Sequence, residues 1–329
     1  MVAVDGSKFA AAASDSAIRT YEAVAAEILA EASRIDAAED ERHGEARGDE
    51  LPEQLTTQHG RNGWLREAKR RLDAERAATN EPVPRDRERR LQSCHRRLVE
   101  DWRAEHRANR AYEAYRARGV MKDGRRFGGP PKPYEPPDKP EGKINTTDPD
   151  ARRMKFGRNF IPAYNAQAVA TEEQIILAAE VATEGGDFEQ LEPMVSSAER
   201  ELEEAGVEER PGVVLADAGY WSNDHIDSLR ERGMTPIVAP DTTRNRPRKT
   251  RRGGPYDFMR RVLATDRGGA LYSKRLPMVE PVFAQIKANR GIGRFKRTGR
   301  AAARSEWRLI AATHNLLKLH RHTVAAATA

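Results

Sequence analysis

Two short apolar runs, each closed by an aspartate, constrain this chain more than any other feature: Val-Ala-Val-Asp at 2–5 and Val-Val-Leu-Ala-Asp at 213–217. Runs of this length without polar alternation read as strands buried on both faces, which requires a sheet covered by helices and therefore an α/β architecture. An aspartate directly after such a run sits where the strand leaves the sheet, so Asp5 and Asp217 are expected at one sheet edge. A third acid, Glu280, opens a helical stretch in which Val279, Phe283 and Ile286 mark an apolar face. Glu280 and Lys287 lie nearly two turns apart and are expected on a common face. Three carboxylates and a cation in one place suit a metal ion beside a phosphate.

The rest of the chain divides by composition. Residues 15–118 read as helix, with Tyr21–Ile35 rich in Ala and Glu, and Trp64–Ala78 and Leu91–Arg118 dense in Arg and Glu. Gly48–Pro52 and Asn80–Pro84 break these segments, which are expected to pair as a helical hairpin. Residues 119–143, with two Pro/Gly clusters, read as a linker of polyproline character. Beyond it the expected order is strand Tyr164–Thr171, strand Gln174–Thr183, helix Phe188–Ala205, strand 213–216, helix Asn223–Arg232 capped by Ser222, and strand Pro236–Ala239.

Charge is unevenly placed. The whole chain carries +6, yet Asp241–Arg300 holds 17 Lys/Arg against four acids, a local +13 around the Glu280 helix. A cationic stretch beside a carboxylate site fits a polyanionic substrate. One cysteine, Cys94, excludes an intrachain disulfide framework. With 33% charged residues, a mean hydropathy of -0.80 and no long apolar span, a soluble cytoplasmic protein is expected and a membrane protein is not. His43, His59, His95, His106, His320 and His322 show no metal-ligand spacing. Trp221 and His314 are expected in the core.

The motifs Val-Asp-Gly-Ser-Lys at 4–8, Tyr-Asn-Ala-Gln-Ala at 164–168, Leu-Ala-Asp-Ala-Gly-Tyr at 215–220, Tyr272-x2-Arg275-x4-Glu280-x6-Lys287 and the block at 306–319 resemble the DDE transposases of bacterial insertion sequences. That resemblance covers roughly 1–14 and 144–319. It implies an RNase H-like mixed sheet flanked by helices and interrupted after its first strand by a long helical insertion. Residues 1–14 would supply the first strand, 15–118 the insertion, 119–143 the linker, and 144–329 the remainder of the catalytic core with a basic loop and C-terminal helices. First and fourth strands would lie side by side.

The same resemblance makes Asp5, Asp217 and Glu280 the catalytic, metal-holding carboxylates. They would bind two Mg²⁺ ions, with Mn²⁺ as a substitute, about 4 Å apart, for cleavage and strand transfer of transposon DNA. Tyr272, Arg275 and Lys287 would grip phosphates near the scissile bond, and Arg290, Arg294, Lys296 and Arg297 would extend the DNA contact. Partners would be transposon ends, target DNA, and further copies of the chain in a homodimer or larger synaptic complex. Family members usually carry a helical DNA-binding domain before the first catalytic aspartate, and only four residues precede Asp5, so an N-terminally truncated chain is expected. The alternatives are an RNase H-like nuclease without strand transfer and a non-catalytic basic DNA-binding protein.

Overall fold

The computed structural model describes residues 1–43, 87–121, 126–129, 133–241 and 253–328. The expected helix Trp64–Ala78, the breaks flanking it, the basic stretch 244–252 and part of the Pro/Gly-rich stretch lie outside these residues. The described chain forms two compact units, one of residues 1–15 and 150–329, the other of residues 16–149.

The first unit is built on a six-stranded mixed sheet. Its strands are β1 (Val2–Ala10), β4 (Arg152–Phe156), β5 (Asn159–Thr171), β6 (Ile176–Ala182), β7 (Val213–Ala216) and β8 (Thr235–Val238). The order is β4-β5-β1-β7-β8, with β6 on the same edge of β5 as β4. Antiparallel pairing joins β1, β4, β5 and β6, whereas β7 and β8 run parallel to β1. The first and fourth strands of the expected core are neighbours, and the mixed sheet flanked by helices is RNase H-like.

Helices cover both faces because the strands alternate. Along β1, Asp5, Ser7 and Phe9 face one way and Gly6 and Lys8 the other. The face of Phe9 receives α7 (Arg275–Ala284) and α8 (Arg300–Thr328): Phe295 stacks on Phe9 with centroids 5.2 Å apart, Trp307 packs tilted against it at 5.1 Å, and the Trp307 indole donates to Gln167 O at 2.8 Å. The opposite face receives α3 (Leu191–Glu204), whose Leu191, Met194, Val195 and Ala198 form an i, i+3, i+4, i+7 apolar stripe. Helix α4 (Asn223–Glu231) crosses from β7 to β8, and Ser222 accepts from His225 N as its N-cap. Trp221 and His314 are buried, Trp221 stacking on Tyr256 and His314 bonding Gln174 O.

Two local expectations need correction. Asp5 lies inside β1, not at its end. β1 continues to Ala10 because β5 pairs with it throughout, while β7 pairs only with Val2 and Ala3. The second concerns the helix around Glu280, which is not one straight α-helix. α5 (Gly254–Ala264) and α6 (Asp266–Ser273) precede it, the chain breaks at Lys274, and a π-turn over Gln285–Asn289 follows α7. Pro277 and Pro281 lack the N–H that a continuous helix needs. The Pro277 carbonyl, which Pro281 cannot serve, accepts from Gln174 Nε2 at 2.9 Å. The π-turn changes the helical phase, so Glu280 is exposed while Lys287 is half-buried.

The second unit contains α1 (Tyr21–His43) and α2 (Arg87–Ala117), and the antiparallel pair β2 (Ile18–Thr20) and β3 (Lys143–Asn145) brings its chain ends together. Its core is Val24, Cys94, Leu98 and Ile144. Burial pushes the Cys94 thiol up to about 12, so it stays protonated and unreactive. The proline-rich stretch is anchored on α2: Trp102 Nε1 donates to Pro137 O, and Glu113 accepts from Tyr134 N. No helix among the described residues is long and apolar enough to cross a membrane.

Candidate active site

The site forms where β1 outruns β7. The parallel register pairs Val2 with Val214 and Ala3 with Leu215, and continuing it one residue pair at a time sets Asp5 against Asp217. Asp217 follows the last residue of β7, and its carboxylate accepts from Gly219 N at 2.8 Å, capping a 3₁₀ turn over Ala218–Tyr220. Opposite Asp5 and Ser7 on β5 stand Ala168 and Ala166. Those small side chains leave room for longer ones arriving from α7.

Arg275 arrives there. Its guanidinium pairs with Asp5 Oδ2 at 3.4 Å, with both side chains largely buried. Burial pushes the Asp5 carboxyl up to about 6; the Arg275 charge and the Gly6 N–H oppose the shift, and the nearby charges of Asp217 and Asp187 add to it. Tyr272 lies in the same field, its hydroxyl pushed up by burial, with Arg275 lowering it and Asp217 and Asp5 raising it. Lys287 donates to Ser7 Oγ and Lys8 O, both at 2.6 Å, and its ammonium sits 4.5 Å from the Phe9 ring centroid. Burial, with Lys8 adding, pushes its ammonium down to about 8.

Other expected site residues are dispersed. Glu280 is exposed on α7 and has no hydrogen-bond or ion-pair partner among the described residues. Arg290 is engaged by α8, donating to Ile310 O and Thr313 Oγ1 at 3.2 and 2.7 Å. Arg294 is exposed in a segment that extends the end of β1, where Ala10 N donates to Gly293 O and Phe295 N to Ala10 O. Lys296 and Arg297 are exposed, their backbone N–H groups held by the Glu306 carboxylate.

The sequence reading missed Asp187. It precedes α3 on the Gly6 side of the sheet and accepts from Asn165 Nδ2 and Gln167 Nε2, both at 2.8 Å. Gln167 in turn accepts from the Tyr220 hydroxyl, and Lys8 Nζ lies 3.9 Å from Asp187. The signal was two amides, Asn165 and Gln167, inside the buried stretch of the strand, since buried amides need partners.

Among the described residues, no group of three or more His, Cys, Asp or Glu side chains is arranged to hold a metal ion. Asp5 and Asp217 are nonetheless a hard, all-oxygen pair whose mutual repulsion contributes to the raised Asp5 carboxyl, which is the environment a divalent cation would relieve.

Residues 123–316 match the family model described as the transposase DDE domain. That stretch contains Asp217, Tyr272, Arg275, Glu280 and Lys287 but not Asp5, which meets Arg275 directly and lies in the field of Asp217. Comparisons with curated proteins and with solved structures returned no match. The family model spans more than half of the chain and includes the turn and helices built around Asp217, so this protein belongs to the DDE transposase family, whose members act on DNA with divalent metal ions.

Proposed function

We propose that this chain catalyses metal-dependent cleavage of insertion-sequence DNA and transfer of the freed strand to a target. The observation that carries the reading is the Asp5–Asp217 row at the open edge of β1, with Arg275 against Asp5. Asp5 and Asp217 would hold the metal ions, Mg²⁺ first and Mn²⁺ as a substitute. By the family resemblance Glu280, exposed on α7, would complete the set when metal and DNA are bound. Bound divalent ions would lower the pKa of an attacking water or 3′-hydroxyl and neutralise charge at the scissile phosphate.

The chain's own groups have defined tasks. Arg275 neutralises Asp5 in the free protein and offers its fork to a phosphate. Tyr272 and Lys287 flank that position. Arg294, Lys296 and Arg297 are exposed and would meet the DNA backbone, Arg297 exchanging its bond to Ser305 Oγ for a phosphate, and several copies would assemble on paired ends. Residues 1–14 and 144–329 would act as one catalytic body, with 15–118 as its helical insertion and 119–143 as the connection.

The test is incubation of the full chain with pre-cut transposon-end duplexes and target plasmid, with Mg²⁺ or with chelator. Metal-dependent joining of the 3′ end supports the reading. Cleavage without joining supports a nuclease, and salt-dependent binding without either product a DNA-binding protein.

A further inference from the structure

Asp187 stands at the centre of a polar network that the catalytic reading leaves without a task. Its Oδ1 receives two buried amides of β5, Asn165 and Gln167, at 2.8 Å each. These residues pair directly with Lys8 and Gly6 of β1. The approach is so close that a Cβ on Gly6 would lie 2.7 Å from Asp187 Oδ1 and 2.8 Å from Asn165 Oδ1, and closer still to Gln167 Nε2. On its other side the network reaches the second aspartate: Tyr220 donates its hydroxyl to Gln167, and Tyr220 N bonds Asp217 O at 3.2 Å. A Cβ on Gly219 would lie 3.4 Å from Asp187 Oδ2.

Asn165 is fully buried, and its Oδ1 has no partner among the described residues. Its amide therefore favours the Asp187 carboxylate at the expense of its own carbonyl. A network this specific, linking β1, β5 and the turn after β7, ties together the two elements that carry Asp5 and Asp217.

We propose that Asp187 is a positioning residue: through Asn165, Gln167 and Tyr220 it fixes the separation of Asp5 and Asp217 and so sets the affinity of that pair for a divalent cation. The proposal rests on the reading of Asp5 and Asp217 as metal ligands. Asp187 acts through its acceptor oxygen, so Asp187→Asn, which keeps that oxygen, should substitute for it and Asp187→Ala should not.

The experiment is Mn²⁺ binding to the full chain without DNA, followed by the paramagnetic signal of free Mn²⁺, with thermal unfolding as a control for fold. Loss of an outer partner of a metal ligand typically weakens affinity about 10- to 100-fold. Asp187→Ala should fall in that range and Asp187→Asn should stay close to the parent. Tyr220→Phe, which removes one hydroxyl from the far end of the network, should weaken binding in the same direction and carries the test if Asp187→Ala does not fold. Unchanged affinity in Asp187→Ala, or in Tyr220→Phe where that variant stands in, overturns the proposal. So does an Asp187→Asn variant as weak as Asp187→Ala, which would make Asp187 a charge in the site instead of a positioning group. Parent-like binding by both Asp5→Asn and Asp217→Asn would instead remove the metal reading, and the proposal with it.

Discussion

Asp5 and Asp217 lie close enough for the Asp217 charge to help raise the Asp5 carboxyl, although β1 stands at the start of the chain and β7 follows residue 212. Asp5 is in mid-strand and Asp217 at a strand end, and they meet because β7 stops where β1 continues. Burial disfavours the charged form of Asp5, and repulsion from Asp217 adds to it.

That burial has a pH signature. A carboxyl raised to about 6 in the fold, above its ordinary 3.8, opposes folding at neutral pH. Its penalty is absent below the unfolded value and grows as pH rises through the folded one. Asp5→Asn should therefore stabilise the metal-free protein by ~1–3 kcal/mol at pH 7–8, with the gain vanishing near pH 4. Denaturant midpoints at several pH values check it, and a gain independent of pH would show that charge is not its source.

Gly6 should tolerate no side chain. Its neighbours are the terminal atoms of three hydrogen-bonded side chains, so Gly6→Ala must break the network or push β1 from β5. A loss of about 2–4 kcal/mol is expected, in the range for overpacking combined with a broken buried polar network. Thermal or urea unfolding measures it.

Trp307 should be the largest single anchor of α8. It is fully buried, packs tilted against Phe9, lies parallel to Phe283 at 6.0 Å and donates its N–H to Gln167 O. Trp307→Ala should cost about 3–5 kcal/mol. Trp307→Phe should recover part of that and lack the hydrogen bond.

The basic residues should separate into two groups. Neutralising Arg294, Lys296 and Arg297 together should reduce the slope of log affinity for duplex DNA against log salt by roughly 0.9 per lost phosphate contact. Arg290→Ala should leave that slope unchanged and lower thermal stability, because its guanidinium holds Ile310 O and Thr313. Equal slopes for the triple variant and the parent would route the DNA elsewhere.

Much of the sheet was legible from pattern. Buried strands at 164–171, 213–216 and 236–239 betray themselves as apolar runs, and Ser222 announced its helix. The second half of β1 did not, because Gly6-Ser7-Lys8 looks like a turn. It remains a strand since Asn165 and Gln167 supply polar company on one face and Lys287 reaches Ser7 on the other. Spacing placed Glu280 and Lys287 on a common stripe, but Pro277 and Pro281 and the following π-turn set a different phase. Asp187 was invisible locally: it sits after two glycines in a loop, and its partners arrive from β1 and β5.

If carboxylate charge at Asp5 and Asp217 drives chemistry on DNA, Asp217→Asn should abolish it. The variant keeps shape and an oxygen able to accept from Gly219 N while losing its charge. With the parent active on pre-cut transposon ends in Mg²⁺, the variant should bind DNA as tightly as the parent, unfold at the same or a slightly higher temperature, and give nicked and joined products only at background. Retained products would contradict the account, and an unfolded variant would make Asp217 a structural residue.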